Sequence, residues 1–333
     1  MSNISTISPL QGKIALVTGG TDGIGKEIAR GLAQIMAELV IVGRDADKGA
    51  RAEREIRASA NNCDVHFVQA DLSLVREARR LGDAVAKRWP AIHYLVHSAG
   101  FVRGRRVLTA EGLESNFATN YLSRFALTTR LLPSLRAAGR PGEAARILLV
   151  SHPGFNGAIQ YDDVNLTTNY STIKAFKQFH YANDVFAVEL ARRLSITGER
   201  PSVTISCLHP GPTKTNIDKE MPLWMNLMVR WVVHPLFSRT PDVPATAAFK
   251  LLLANEFEGE SGALFSLVGK FRRVMVPPTV QDPEQGQRLW AFSEAQVHSA
   301  LGRTPPVSPT APMGEPMHTI GLDNAQLRAS SRS

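Results

Sequence analysis

The sequence predicts an α/β fold: a doubly wound parallel sheet with helices on both faces, in a single domain. Three observations lead there. Short apolar runs alternate with amphipathic stretches from residue 13 to about residue 270. The runs are of strand length and almost continuously apolar, as strands buried on both faces are. Residues able to do chemistry collect just after the runs, where open α/β sheets bind ligands. Repeated strand–helix units with short joins then require parallel pairing and helices on both sides.

The first unit is Lys13–Thr18, then Gly19-Gly20-Thr21-Asp22-Gly23-Ile24-Gly25, then a helix with Ile24, Ile28, Leu32 and Ile35 on one stripe. Strand, glycine turn and helix together aim free backbone N–H groups at a phosphate. Glycine also lets the backbone approach a pyrophosphate closely. The second strand, Glu38–Val42, ends in Gly43-Arg44-Asp45. At that tip an acid accepts from an adenosine ribose 2′-hydroxyl, whereas an arginine suits a 2′-phosphate. Arg44 comes first, which favours NADP over NAD. The alternative is a solvated Arg44 with Asp45 reading the ribose.

Alternation continues with a charged helix over Asp45–Ser59, a strand over Asp64–Gln69 leading to Asp71 and Leu72, and a helix over Leu74–Trp89. His93–His97 is a strand running into Ser98-Ala99-Gly100. A long helical region over about 110–138 carries Asn116 and Asn120. Ala145–Ser151 is a strand with His152 after it, and a second long helix covers about 168–197. Val203–Leu208 is a strand ending His209-Pro210-Gly211, with Thr213 and Thr215 beyond. Pro244–Asn255 is a helix, Ser261–Leu267 the last strand and Gln285–Leu301 a final helix. These limits give an N-terminal extension over 1–12 and a single α/β domain over 13–270 that includes a Met-, Trp- and Leu-rich stretch at about 216–240. A C-terminal helical extension over 271–302 and a Pro/Ser/Thr-rich tail over 303–333, expected to be disordered, complete the chain.

Tyr170 and Lys174 are the candidate acid/base pair. On a helix, residues four apart share one face. A phenol with its ordinary pKa near 10 is a sluggish proton donor at neutral pH. An ammonium one turn away favours the phenolate, lowers that pKa and tunes a general acid/base. The plain alternative is a surface helix pair. His180 and Tyr181, further along the same helix, read as packing residues.

The net charge is +8 over 333 residues, but the arginines are scattered, and no lysine-rich run interleaves with aromatics. This gives no basis for nucleic-acid binding, while a mild basic bias suits a phosphorylated cofactor. Cys63 and Cys207 form no CxxC motif or Cys/His cluster, so no metal is expected and both read as reduced, buried thiols. The polar N-terminus lacks a signal-peptide core, and no apolar run reaches roughly eighteen residues, so a cytoplasmic protein without a transmembrane segment is expected. Leu223–Phe237, with Trp224, Met225, Met228 and Trp231, reads as apolar cover for a lipophilic substrate. Its alternatives are a contact in a homo-oligomer and a peripheral membrane-surface patch.

Thr18-Gly19 through Gly23-Ile24-Gly25, Asp71-Leu72, Ala99-Gly100, Asn120, Tyr170 with Lys174, and His209-Pro210-Gly211 occur in the order of one family. Over roughly residues 10–270 the chain resembles the short-chain dehydrogenase/reductases. Gly43-Arg44-Asp45, Leu190-Ala191-Arg192-Arg193-Leu194 and Arg288-Leu289-Trp290 make it most similar to the retinol-dehydrogenase-like branch. The resemblance implies a Rossmann-type fold and NAD(P)-dependent interconversion of a carbonyl and an alcohol on a small apolar substrate. It implies a phosphate turn built from Gly19, Thr21, Asp22, Gly23, Ile24 and Gly25. Arg44 would face the 2′-phosphate, Asp71 and Leu72 the adenine, Ala99 and Gly100 would line the cofactor, and the stretch at about 216–240 would be the substrate lid. Lys174 would hold the nicotinamide ribose, Tyr170 would exchange the proton with substrate, and Asn120 would place a relay water. Pro210, Gly211 and Thr215 would fix the carboxamide, with Thr213 beside them.

Departures from that pattern are also visible. The family's serine falls at His152, after Ser151. A neutral imidazole can donate one hydrogen bond and exchange a proton, Ser151 can serve if the loop shifts, or the donor is lost. The last case implies a catalytically weakened dinucleotide-binding or regulatory protein. His97-Ser98 stands where the family has paired asparagines, and Ile35-Met36-Ala37 lacks the usual glycine cap.

Overall fold

In the computed structural model, which describes residues 10–60, 63–154, 157–195, 201–214 and 238–302, the chain alternates strand and helix. It begins β1 (Leu10–Thr18), α1 (Gly23–Leu32), β2 (Met36–Gly43), α2 (Ala46–Ser59), β3 (Asp64–Gln69), α3 (Val75–Arg88) and β4 (Tyr94–His97). A helical turn, α4 (Ser115–Phe117), passes through a π-helical turn at Ala118–Leu122 into α5 (Ser123–Ala138). Then come β5 (Ala145–Val150), α6 (Thr172–Leu194), β6 (Val203–His209), α7 (Asp242–Leu253) and β7 (Ala263–Ser266). β8 (Arg272–Val274), α8 (Pro278–Gln281) and α9 (Pro283–Ala300) end the described chain. Thr215 and the stretch Leu223–Phe237 lie outside the described residues.

The strands form one sheet in the order β3-β2-β1-β4-β5-β6-β7-β8. Neighbours from β3 to β7 pair in parallel and β8 pairs antiparallel to β7. The expected doubly wound α/β sheet is therefore present, with an antiparallel edge strand added to it. Arg272-Arg273-Val274 carries no apolar run, which is why this short, mostly exposed edge escapes pattern reading.

Alternate strand residues supply the two cores, as a period of two requires. Leu16, Val40, Leu95, Ile147 and Ile205 face α3, α5, α6 and α9. Ala15, Val17, Ile41, Val96, Leu148 and Leu208 face α1, α2 and α7. The C-terminal helix α9 belongs to the first core. Trp290 packs edge-on against Phe125 of α5, with ring centres 5.0 Å apart, and the Tyr121 hydroxyl meets Ser293 Oγ at 2.6 Å.

Two local details shape the site. Strand order reverses between β1 and β4, and that switch point opens a crevice at the strands' C-terminal ends. The second concerns α6, expected over about 168–197 but starting at Thr172. Ser171 caps it, its hydroxyl accepting from Lys174 N at 3.1 Å. Asn169 immediately upstream has φ +54°, so the chain turns sharply before the helix begins. Tyr170 is thus in the turn, and Tyr170 and Lys174 do not share a helical face.

Candidate active site

A cavity of about 630 Å³ occupies the crevice. One end is the glycine turn between β1 and α1, where Gly19, Thr21, Asp22, Gly23 and Ile24 form the wall. The turn demands its glycines. Gly19 and Gly23 have φ of +69° and +52°. A Cβ on Gly19 would lie 2.7 Å from Ala99 N, and one on Gly25 would lie 2.3 Å from the Gly19 carbonyl oxygen. Asp22 caps α1 by accepting from Gly23 N at 2.9 Å. This leaves a helix N-terminus facing a closely approachable backbone, the geometry that binds phosphate.

Arg44, Asp45 and Lys48 line the cavity beyond the tip of β2. Asp45 is engaged as the cap of α2, its carboxylate accepting from Lys48 N at 2.8 Å. The Arg44 guanidinium lies 5.9 Å from the centre of the Phe101 ring. Lys48, which sequence reasoning passed over, pairs with Asp22 and brings a second cation to this wall. Asp71 and Leu72 border the same region, and the Asp71 carboxylate accepts from Ser73 N at 3.0 Å.

Ala99 and Gly100 run along the middle of the cavity. Thr18 Oγ1 accepts from Ser98 N and Ala99 N at 3.2 and 3.3 Å, tying the β4 loop to β1. A Cβ on Gly100 would sit 2.5 Å from Asn120 Oδ1, so any larger residue there would displace the Asn120 side chain. Asn120 lies in the π-helical turn, and its amide donates to the carbonyls of Phe101 and Asn116, each at 2.8 Å. Pro210, Gly211 and Thr213 close the far rim.

The end away from the glycine turn is lined by Ser151, His152, Phe176, Phe179 and His180. Tyr170 and Lys174 are absent from this wall, which corrects the expectation drawn from their spacing. The Tyr170 hydroxyl donates to the Arg103 carbonyl at 3.1 Å and accepts from Asn116 Nδ2 at 3.0 Å. Burial first, then the nearby Glu114 charge, pushes its pKa up to about 12 rather than down. Lys174 is exposed and donates to the Asn169 carbonyl at 3.1 Å, so its ammonium is not held against the phenol. The residues that α6 does present, four apart on one face, are Phe176 and His180. His180, read from sequence as packing, is a cavity residue.

Ser151 and His180 are both almost fully buried, at 4% and 6% exposure, with Ser151 Oγ 2.7 Å from His180 Nδ1. The backbone N–H of His152 also reaches that nitrogen, at 3.1 Å. An N–H can only donate, so Nδ1 is the acceptor, the serine hydroxyl is its second donor, and the imidazole proton sits on Nε2. Burial, helped by His152 and Arg124, pushes the His180 pKa well down and keeps the ring neutral. His152 lies edge-on to His180 with ring centres 5.3 Å apart, and burial lowers its pKa to about 4.

A second layer holds this end in place. His209 Nε2 lies 3.1 Å from Asp184 Oδ1, and Asp184 Oδ2 accepts from Gly154 N at 2.8 Å, anchoring the loop after Ser151. Arg124, on α5, donates to the carbonyls of Val150 and Ala99, each at 3.0 Å, bridging the β5 and β4 loops. The signal for it was a lone charged residue inside the mostly apolar run from Tyr121 to Leu127. Burial lowers its pKa to about 10, so the guanidinium stays charged at neutral pH.

Comparison with known proteins agrees with this architecture. The short chain dehydrogenase family model matches residues 13–226. Human retinol dehydrogenase 12 is 32% identical over 284 residues, covering 85% of this chain and 86% of that protein. Human polyprenol dehydrogenase is 30% identical over 255 residues, covering 76% of each. A crystal structure of an uncharacterised protein from Mycobacterium paratuberculosis superposes with a TM-score of 0.69 at 26% identity, covering 91% of this chain and 98% of that one. Family and relatives together support an NAD(P)-dependent oxidoreductase acting on CH–OH groups. The chain belongs to the short-chain dehydrogenase/reductase family, in its retinol-dehydrogenase-like branch.

Proposed function

We propose that this protein is an NADP(H)-dependent oxidoreductase that interconverts an alcohol and a carbonyl on a small, apolar substrate. The observation that carries the reading is the continuity of one cavity from the glycine turn, past Arg44 and Lys48, to Ser151 and His180. The residues along it suit the dinucleotide. Gly19 and Gly25 leave room that a Cβ would fill, and the N-terminus of α1 faces the place for a pyrophosphate. Two cations line the wall beyond β2 while Asp45 is committed to its helix cap, which favours a 2′-phosphate over a 2′-hydroxyl. Phe176 and Phe179 make the chemistry end apolar, in keeping with the retinol and polyprenol named for the relatives.

Titrating the purified protein with NADPH and NADH, then assaying a panel of apolar aldehydes, ketones and alcohols, tests this. Tighter NADPH binding together with turnover supports it, and failure to bind either dinucleotide sinks it. A second reading is a dinucleotide-binding protein with little catalysis. The observation favouring it is Phe176, which brings no hydroxyl to the wall that α6 presents. NADPH binding without turnover of any panel member would decide for that reading.

A further inference from the structure

We propose that Ser151 and His180 form the proton-transfer couple of this site, in place of Tyr170 and Lys174, with Ser151 meeting the substrate oxygen and His180 taking the serine's proton at Nδ1. This rests on the oxidoreductase reading above and adds the identity of its acid and base. Both residues line the cavity at the end away from the phosphate turn, and their side chains are joined at 2.7 Å. In the resting protein the His152 backbone N–H donates to the same nitrogen, which leaves Nδ1 unprotonated and makes Ser151 the donor at 2.7 Å. The Ser151 hydroxyl also lies 3.3 Å from the His152 carbonyl. Protonation of Nδ1 during turnover breaks the His152 N–H contact. A serine hydroxyl donating to an unprotonated imidazole nitrogen is oriented for relay. Tyr170 has its hydroxyl bonded to Arg103 and Asn116 and does not border the cavity.

In the alcohol-to-carbonyl direction the substrate O–H bond breaks and its proton passes to Ser151 Oγ. The serine's own proton moves to His180 Nδ1, and the former O–H electron pair becomes the second carbonyl bond. The hydride, with the electron pair of the breaking C–H bond, would leave to the oxidised nicotinamide that the cavity would hold. His180 is left as an imidazolium that returns one proton to solvent. The reverse direction draws the proton from the same imidazolium through the same serine. The titratable and charged groups facing the couple are His152 on the loop after β5, Arg124 on α5, Asp184 further along α6, and Cys207 and His209 on β6. Arg124, which reaches Asn183 beside them at 3.4 Å, opposes a second positive charge on His180. The imidazolium is therefore short-lived at neutral pH and a strong proton donor when formed.

The test compares wild type with His180→Asn, Ser151→Ala and Tyr170→Phe. Asparagine keeps an acceptor near the Nδ1 position but cannot take a proton, so folding and proton transfer are separated. His180→Asn and Ser151→Ala are expected to lower kcat by about a hundredfold or more, the size of a general acid–base contribution, while NADPH affinity changes by less than about threefold. His180→Asn should also erase the acidic limb of the pH–rate profile. Tyr170→Phe should keep kcat within about twofold. A readout independent of turnover is the imidazole ¹⁵N spectrum of the protein without cofactor, assigned by its loss in His180→Asn. An unprotonated Nδ1 with a protonated Nε2 across the neutral range is expected. A proton on Nδ1, an unchanged pH profile in His180→Asn, or loss of turnover in Tyr170→Phe alone would overturn the couple and leave the oxidoreductase reading standing. A wild type that binds NADPH and turns over nothing would overturn both.

Discussion

Replacing Arg44 by alanine is expected to weaken NADPH binding and leave NADH binding nearly unchanged. Arg44 lies at the tip of β2 on the cavity wall, its guanidinium 5.9 Å from the Phe101 ring centre. Its backbone carbonyl accepts from Gln69 Nε2 at 3.0 Å, a contact the substitution keeps. The neighbouring Asp45 caps α2 through Oδ1, a contact the substitution leaves in place in either state. Lys48 remains, but it is paired with Asp22. One charge-assisted hydrogen bond contributes about 1.5–3 kcal/mol. Its loss corresponds to roughly a ten- to 150-fold rise in the NADPH dissociation constant, at about 1.4 kcal/mol per factor of ten. NADH carries a hydroxyl at that position and should shift by less than about threefold. Calorimetric titration of both dinucleotides against wild type and variant, at low and high salt, measures the split. Equal weakening of both, or an unchanged NADPH constant, would refute the assignment of Arg44 to the 2′-phosphate.

Other outcomes follow from the same geometry. Gly25→Ala places a Cβ 2.3 Å from the Gly19 carbonyl oxygen, so the phosphate turn must shift and both dinucleotides should bind on the order of a hundredfold more weakly, by the same titration. Trp290→Ala removes a buried ring packed on Phe125 and Phe186, and urea unfolding should show a loss of about 3–5 kcal/mol; a change below about 1 kcal/mol would mean α9 is not part of the core. The His152 pKa is lowered from an ordinary 6.5 to about 4, so between those values the unfolded chain holds a proton that the folded chain does not. Stability is therefore full above about pH 6.5 and falls as pH drops towards 4, by about 3 kcal/mol from this residue. His97 and His180, both pushed well down by burial, act in the same direction. Denaturant unfolding across that range should show a shallower slope in His152→Phe than in wild type, and identical slopes would remove His152 from the account.

The sequence by itself determined the parallel sheet, the order of its units and the phosphate turn. These are local properties: a buried strand is an apolar run, an amphipathic helix has its period, and Gly19 and Gly23 mark positive φ wherever they fold. Arg44 was legible for the same reason, because the tip of β2 follows directly from the strand pattern. The opposite end of the cavity was not. Tyr170 and Lys174 have the right interval, but the interval means a shared face only inside a helix, and α6 starts at Thr172. Ser171, an ordinary N-cap residue, was the local sign of that start. Which face of α6 meets the cavity depends on how the helix lies against β5 and β6, through contacts between residues far apart in the chain. That packing brings Phe176 and His180 to the wall and joins His180 to Ser151, 29 positions earlier. Spacing along one segment carries no information about such a contact, so the tertiary structure alone decided which side chains line that end of the cavity.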